Sequence, residues 1–501
     1  MRDIVIAAFF GAGPVMSAYV AALKIPNILR NLLGEGTLSA SFVPVYSAAL
    51  GRGDTRDARR SARGVLGLVL SVSGLVVALG IVSAPWLVRV VAPGFENDVG
   101  RLTVHLIRIL FPMAGLMMVG AWCLGVLTSH RRFFLPFAAP VLWNLAQIAG
   151  LLLGAHFGWQ PLIVVLAWST LVGAALQVLV QLPAVIQLLG ALRPTLDRTS
   201  EGVRTVTRNA APVVAGQGIF QISSLIDVAL ASTLFAGGGA GAIGGMYFAQ
   251  RIVQLPMALF GASVAVAALP EMSRGGAIGE LEPHLAAGLK RILYFVVPAA
   301  IVLILYGDLV TSLLYERRAF DAEAVRLVRW ILAAYAGGLI ATSLVKLFAS
   351  GYHAMLETRT PVKCAALGVG IGVALGAGLM YWLAGRGWGA RAVAGLALGG
   401  AVGAWLNLGL LIRGLAGRGL RGVWRPAAVP LARIALGGAA AAALSWPARV
   451  WAEAAFGAGT LGHAGTLGTV LVAGGIPYVL IAGLGPLGGR RGGGSEPGIP
   501  E

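Results

Sequence analysis

Five basic side chains, Arg2, Lys24, Arg30, Arg251 and Lys346, stand in or at the ends of apolar stretches, away from the strongly basic loops. A charge in the bilayer core costs several kcal/mol even on a lenient insertion scale, so such groups tend to face a cavity or a partner. A guanidinium fork matches phosphate oxygens in a bidentate way and an ammonium adds a compact charge, so converging Arg and Lys suit a diphosphate. Carboxylate ligands and structural ion pairs are the competing readings, and Asp3, Glu35 and Asp227 are the acids available.

Arg251 is the strongest single candidate for an anion ligand, flanked by Tyr247, Phe248 and Ala249 before it and Ile252, Val253 and Leu255 after it, ahead of Pro256. For Arg2, Lys24 and Arg30 the competing reading is interfacial snorkelling, because all three fall near expected helix ends. Lys346 shares a helical face with Thr342, Ser343 and Ser350, a polar stripe that on a membrane helix must point inward and reads as a cavity wall. Gln217, Gln221, Ser224 and Asp227 repeat the pattern at spacings of four, three and three; a polar seam between helices is their competing reading. Asn144 with Gln147, and Gln177 with Gln181, fit the role of interhelix glue.

Enzymatic constellations are not found. His105, His130, His156, His284, His353 and His463 are scattered, and HExxH, GxSxG and GxxxxGK[ST] do not occur. Gly237 to Gly245 and Gly368 to Gly376 resemble nucleotide loops only weakly, and close helix packing or hinging explains them better. Cys123 and Cys364 are isolated within apolar runs and read as packing residues. Neither a cofactor nor a metal is expected, and no coupling ion is identified.

The elements that carry these residues follow from composition. Of 501 residues 57% are hydrophobic and only 12% charged, with mean hydropathy +0.83, which excludes a soluble fold. The runs suit helices spanning ~30 Å of hydrocarbon and lack the alternation of a β-barrel. The expected fold is all-α and polytopic, with about fourteen transmembrane helices near 3–23, 36–51, 61–91, 101–127, 134–155, 160–189, 203–235, 242–270, 285–314, 324–350, 363–384, 390–412, 430–452 and 466–485. The first run lacks a basic n-region and a cleavage site, so it reads as a retained helix.

Net charge is +18, but the arginines fall in short loops and not on one basic patch with interleaved aromatics, so nucleic-acid binding is not expected. Loops at 52–63, 130–132, 193–208, 274–291, 359–363, 413–433 and 490–491 hold twenty-three Lys and Arg. The alternate set near 92–101, 156–161, 236–241, 315–326, 385–391 and 453–465 holds fewer than half as many. The basic set is therefore read as cytoplasmic, with both termini on that side.

A faint repeat pairs Pro44 with Pro270, Leu87-Val88 with Leu309-Val310, and Pro140-Val141 with Pro361-Val362. Each offset spans six helices, an arrangement expected of two parallel lobes around a central cavity. The expected division is an N-terminal lobe at 1–189, a C-terminal lobe at 203–412, two additional helices at 430–485, and a disordered cytoplasmic tail at 486–501.

Several stretches carry a family resemblance: Arg2 to Gly11; Lys24-Ile25-Pro26-Asn27-Ile28-Leu29-Arg30 with Gly34-Glu35-Gly36 and Phe42-Val43-Pro44; Ala92-Pro93-Gly94-Phe95; Arg132 to Pro136 and on to Asn144; Ala249-Gln250-Arg251 to Pro256; and Thr358 to Lys363. In these the chain resembles the MurJ/MviN family of lipid II flippases, within the multidrug, oligosaccharidyl-lipid and polysaccharide exporter superfamily. The likeness spans most of residues 1–365, and beyond that rests on helix number and hydropathy.

The resemblance implies an inner-membrane protein that moves undecaprenyl-diphosphate-linked disaccharide-peptide from the cytoplasmic to the outer leaflet by alternating access. Arg2, Arg30 and Arg251 match functionally important cavity arginines, and Lys24 and Glu35 match neighbouring motif positions. Helices near 430–485 would form a groove for the polyprenyl tail, and membrane lipids and the peptidoglycan synthesis machinery would be partners. Two departures stand out. Family members usually begin earlier, with another arginine-bearing piece of the first helix, which points to a misassigned start or a truncation; and Ser17 and Gln250 stand where many members carry acids. Rival readings are a flippase for another polyprenyl-linked glycan, a small-molecule antiporter, and a non-transporting scaffold.

Overall fold

A computed structural model describes residues 1–190, 193–196, 200–234, 239–264, 278–355, 357–420, 427–457 and 459–483, and the side chains of 35, 211, 215–217, 219, 220, 262 and 278–280 are not among those described. Pro270 of the expected repeat and the tail at 486–501 therefore lie outside the described residues. All regular structure among the described residues is helical. Among the described residues ten helices are long and apolar enough to cross a membrane.

Of the expected segments, 36–51 is a helix with the same bounds, the first, 3–23, is broken after Phe10, and the others fall on helix where they are described, apart from short breaks. Helix α1 covers only Arg2–Phe10, and α2 runs Pro14–Leu29. A π-helical stretch, Arg30–Glu35, bent at Gly34, leads directly into α3, Gly36–Gly51. Residues 24–35, expected as a loop, are thus the middle of one long bent helical run. The nine residues of α1 rise about 13 Å.

The break between α1 and α2 has a local cause. Gly11 adopts φ 58° and ψ −155°, a region essentially restricted to glycine, and a Cβ there would lie 2.4 Å from the Ala319 carbonyl oxygen. Gly11→Ala is therefore expected to cost about 2 kcal/mol or more and lower the thermal unfolding midpoint in detergent. Gly51→Ala, facing open space at the end of α3, should leave that midpoint unchanged.

Further along are α4 (Thr55–Val82), α5 (Ala84–Val91), α6 (Asn97–Ser129), α7 (Phe134–His156), α8 (Leu162–Leu179), α9 (Leu182–Leu189), α10 (Glu201–Ser232) and α11 (Ala242–Pro256). Next come α12 (Ile278–Leu305), α13 (Gly307–Tyr315), α14 (Ala322–Ala354), α15 (Arg359–Ala384), α16 (Ala394–Ala416), α17 (Ala428–Phe456) and α18 (Thr460–Ala482). By internal contacts the chain forms two compact units, one of residues 1–248, 314–331 and 373–396, the other of 249–313, 332–372 and 397–501.

Helix α6 is the axis of the first unit, packing against α2, α3, α4 and α8. Trp122 on α6 is fully buried beside Phe42 and Tyr46, and its indole N–H donates to the Ala62 carbonyl at 3.1 Å. Contacts sort the loops by end. Tyr46 meets His130 at 3.0 Å, Arg63 donates to the Leu189 carbonyl at 3.0 Å, and Ser61 meets Ser200 at 3.5 Å, all at the strongly basic end. At the opposite end the Gly94 amide donates to Ser232 Oγ at 3.1 Å, the Ser17 hydroxyl to the Ala240 carbonyl at 2.9 Å, and the Ala319 amide to the Ala8 carbonyl at 3.1 Å.

In the second unit α17 and α18 pack on each other, and α17 packs on α12. Arg449 of α17 binds Asp308 at 2.6 and 3.2 Å and Glu453 at 2.7 Å, and its guanidinium lies 5.8 Å from the Tyr306 ring centroid. The Tyr306 hydroxyl meets Ser445 Oγ at 2.7 Å, and the Tyr478 hydroxyl donates to the Tyr294 carbonyl at 2.6 Å. Gly368 and Gly372 on α15 lie so close to α16 that a Cβ would come 2.6 Å from the Gly403 oxygen and 2.9 Å from the Gly399 oxygen. Close backbone approach is thus what that glycine series provides.

Candidate functional site

The bend near Gly34 and the break at Gly11 bring Arg2 and Arg30 to one side chain. The Arg2 guanidinium lies 5.4 Å and that of Arg30 5.9 Å from the ring centroid of Trp143, on α7. Two cations on one indole are held by its quadrupole, an attraction of roughly 0.5–2 kcal/mol each that leaves the guanidinium edges free to donate. Trp143 is itself anchored, its indole N–H donating to the Thr170 carbonyl at 3.0 Å, while the Thr170 hydroxyl meets buried Tyr19 at 2.8 Å.

Arg2 is only 11% exposed and is bound by the neighbouring Asp3 through Nε at 3.1 Å and Nη2 at 2.8 Å. Tyr247 of α11 closes the group, donating to the same Asp3 oxygen at 2.7 Å and lying 3.4 Å from Arg2 Nη2. Arg30 differs: its Nε is buried and has no hydrogen-bond partner among the described residues. A buried guanidinium N–H with no partner calls for a ligand, a water or an ion. Arg30 stands sixteen residues after Pro14 and twenty-one before Gly51, in the middle of the α2–α3 run, which removes the snorkelling reading based on a helix end.

Lys24, also on α2, is largely shielded from solvent and within electrostatic reach of Asp227 on α10. Gln221 and Ser224 precede Asp227 on α10, all three partly buried, in a helix that packs against α2, α3 and the Arg30–Glu35 stretch. The side chains of Gln217 and Glu35 lie outside the described residues. Ser17, which stands where many members of the resembled family carry an acid, is fully buried, and its hydroxyl accepts from the Gly244 amide at 3.2 Å, so it joins helices in this fold.

Two sequence candidates belong to the second unit. Arg251 donates to Gln254 at 3.1 Å, and its neighbour Gln250 donates to the Tyr335 hydroxyl at 2.8 Å. Lys346 on α14 is partly buried and has no ion-pair partner among the described residues. The hydroxyls around it are turned to other work: Thr342 donates to the Gly338 carbonyl at 2.8 Å, Ser350 to the Lys346 carbonyl at 2.9 Å, and fully buried Ser343 packs against Gly261.

Trp143 is the site residue that sequence reasoning missed. An aromatic in an apolar run reads as core or as membrane-interface belt; its position directly before Asn144, in a stretch shared with the family, was the available signal.

A family model described as lipid II flippase MurJ matches residues 6–461. A probable lipid II flippase MurJ of Rhizobium tropici is 34% identical over 403 residues, covering 79% of this chain and 75% of that one. The lipid II flippase MurJ of Burkholderia cenocepacia is 34% identical over 376 residues, covering 73% and 71%. Among solved structures, a lipid II flippase MurJ in an inward closed conformation superposes with TM-score 0.76 at 21% identity, over 96% of this chain and 95% of that one. An inward-facing multidrug resistance transporter of the MATE family and MOP superfamily gives 0.69 at 16% identity, over 83% and 93%. Both structural likenesses establish the fold.

Proposed function

This chain belongs to the lipid II flippase MurJ family, and we propose that it carries lipid II across the cytoplasmic membrane with Arg2 and Arg30 as diphosphate ligands. Lipid II is a polyprenyl-diphosphate-linked disaccharide-peptide, so the cargo brings a compact anion through hydrocarbon. The observation that carries the assignment is the pairing of Arg2 and Arg30 on Trp143, where Asp3 pairs with Arg2 and the buried Nε of Arg30 has no hydrogen-bond partner among the described residues. Lys24, Arg251 and Lys346 are proposed as further cationic groups along the cargo's path, with Glu35, Gln217, Gln221, Ser224 and Asp227 as its polar lining.

Transport is by alternating access, a shift between states that bind the cargo from either side, and needs no covalent chemistry. The moving bodies are proposed to be lobes at 1–189 and 203–412, with 430–485 as the surface for the polyprenyl tail. The strongly basic loops are placed in the cytoplasm by the positive-inside rule. An anionic cargo couples to membrane potential at ~2.3 kcal/mol per charge per 100 mV, enough to bias the cycle without nucleotide or another cofactor.

Complementation checks this reading. The gene is expected to rescue a bacterium depleted of its lipid II flippase and to leave a strain lacking its O-antigen flippase unrescued. Rescue of the second strain alone would assign the chain to another polyprenyl-linked glycan.

A further inference from the structure

At the end of the first unit opposite the strongly basic loops lies a cavity of about 530 Å³, within the size range of ligand sites. Three loop regions from the less basic set meet there: the one around Gly241, the one after Ala319, and the one at 387–391. Its wall carries both signs of charge, Asp321 and Glu323 against Arg326 and Arg391, with Trp388 as the aromatic face.

These charges do not neutralise one another. Asp321 accepts from the Ala324 amide at 2.8 Å at the start of α14, and among the described residues none of the four forms an ion pair. Trp388 is braced by Trp330 at 5.4 Å between ring centroids, so its position is set before any ligand arrives. A site for a bare anion would show cations alone, and a site for an uncharged sugar would gain nothing from four ionised groups. Two acids and two bases around a rigid aromatic complement a ligand that carries carboxylates and an ammonium on an amide chain.

We propose that this cavity holds the stem peptide of the cargo on the outer side of the membrane, with Arg326 and Arg391 on its carboxylates and Asp321 and Glu323 on its amino group. The assignment rests on the lipid II reading and names a subsite for the part of the cargo most remote from the diphosphate. Holding the peptide there would favour release of the headgroup outward.

The test uses purified full-length protein in lipid vesicles and two labelled cargoes, lipid II with its full stem peptide and the same lipid-linked disaccharide without peptide. Glu323→Gln and Arg391→Gln change exposed residues on the cavity wall, so folding should survive, which the unfolding midpoint verifies. Each variant should slow the peptide-bearing cargo about fivefold, the scale of one exposed charge contact, and move the peptide-free cargo at the wild-type rate. Equal slowing of both cargoes, as a gating or lipid-headgroup role would give, overturns the proposal, as does no slowing of either. If wild-type protein moves neither cargo, the lipid II reading itself falls.

Discussion

Arg30→Glu should reduce lipid II translocation roughly thirty- to thousandfold while leaving insertion and unfolding midpoint near wild type. The estimate follows from the roughly 2–4 kcal/mol lost when one partner of a desolvated charge contact is removed, at 1.36 kcal/mol per factor of ten. Arg30 is the informative position because its Nε is buried without a partner among the described residues, which leaves that donor for a ligand. Arg30→Lys should fall between, since an ammonium keeps the charge but loses the fork and much of its hold on Trp143. Arg2 makes a poorer test: Asp3 and Tyr247 already bind it, and its removal would strand an acid. Rates would be read from reconstituted vesicles at matched protein density.

The second large effect concerns stability. Asp308→Ala should destabilise the protein by about 3–5 kcal/mol, because Arg449, 15% exposed, would lose a bidentate partner that is 19% exposed. Glu453, nearly half exposed, cannot replace it. Replacing both members with apolar residues of similar volume should restore most of the loss, as is general for buried pairs. Thermal unfolding of the two variants in one detergent distinguishes these outcomes. Similar midpoints for the single and double variants would show that Arg449 is stabilised some other way.

Much of the fold was legible because a bilayer leaves few choices for a 20-residue apolar run: backbone groups without water must pair within a helix. What misled was punctuation. Gly11, Gly13 and Pro14 sit inside an apolar stretch and looked tolerable within one membrane helix, yet Gly11 turns the chain. Conversely Lys24, Pro26, Asn27, Arg30 and Gly34 have the composition of a loop, and the helix nevertheless continues with Pro26 buried inside it. In water those residues would favour an end; membrane helices tolerate proline because neighbouring helices can satisfy the backbone groups it frees.

For the site, charge in an apolar context singled out Arg2, Lys24 and Arg30, and the fold brings Arg2 and Arg30 to one indole. Their partners were not legible. Trp143 lies more than a hundred residues from both arginines it serves, and Asp308 lies 141 residues from Arg449. Pairings of that range are set by packing and leave no local periodicity. At Thr342, Ser343 and Ser350 helical spacing placed the hydroxyls together but not their bonding: Thr342 and Ser350 donate to carbonyls of their own helix and Ser343 is buried.

Translocation by purified protein in vesicles, comparing lipid II with the same glycopeptide lipid joined through an uncharged linker, bears most directly on the role of the arginine pair. The diphosphate cargo should cross at least tenfold faster, with that preference lost in Arg30→Glu. Equal rates for the two cargoes, or a preference that survives the charge reversal, would contradict recognition of the diphosphate at Arg2 and Arg30.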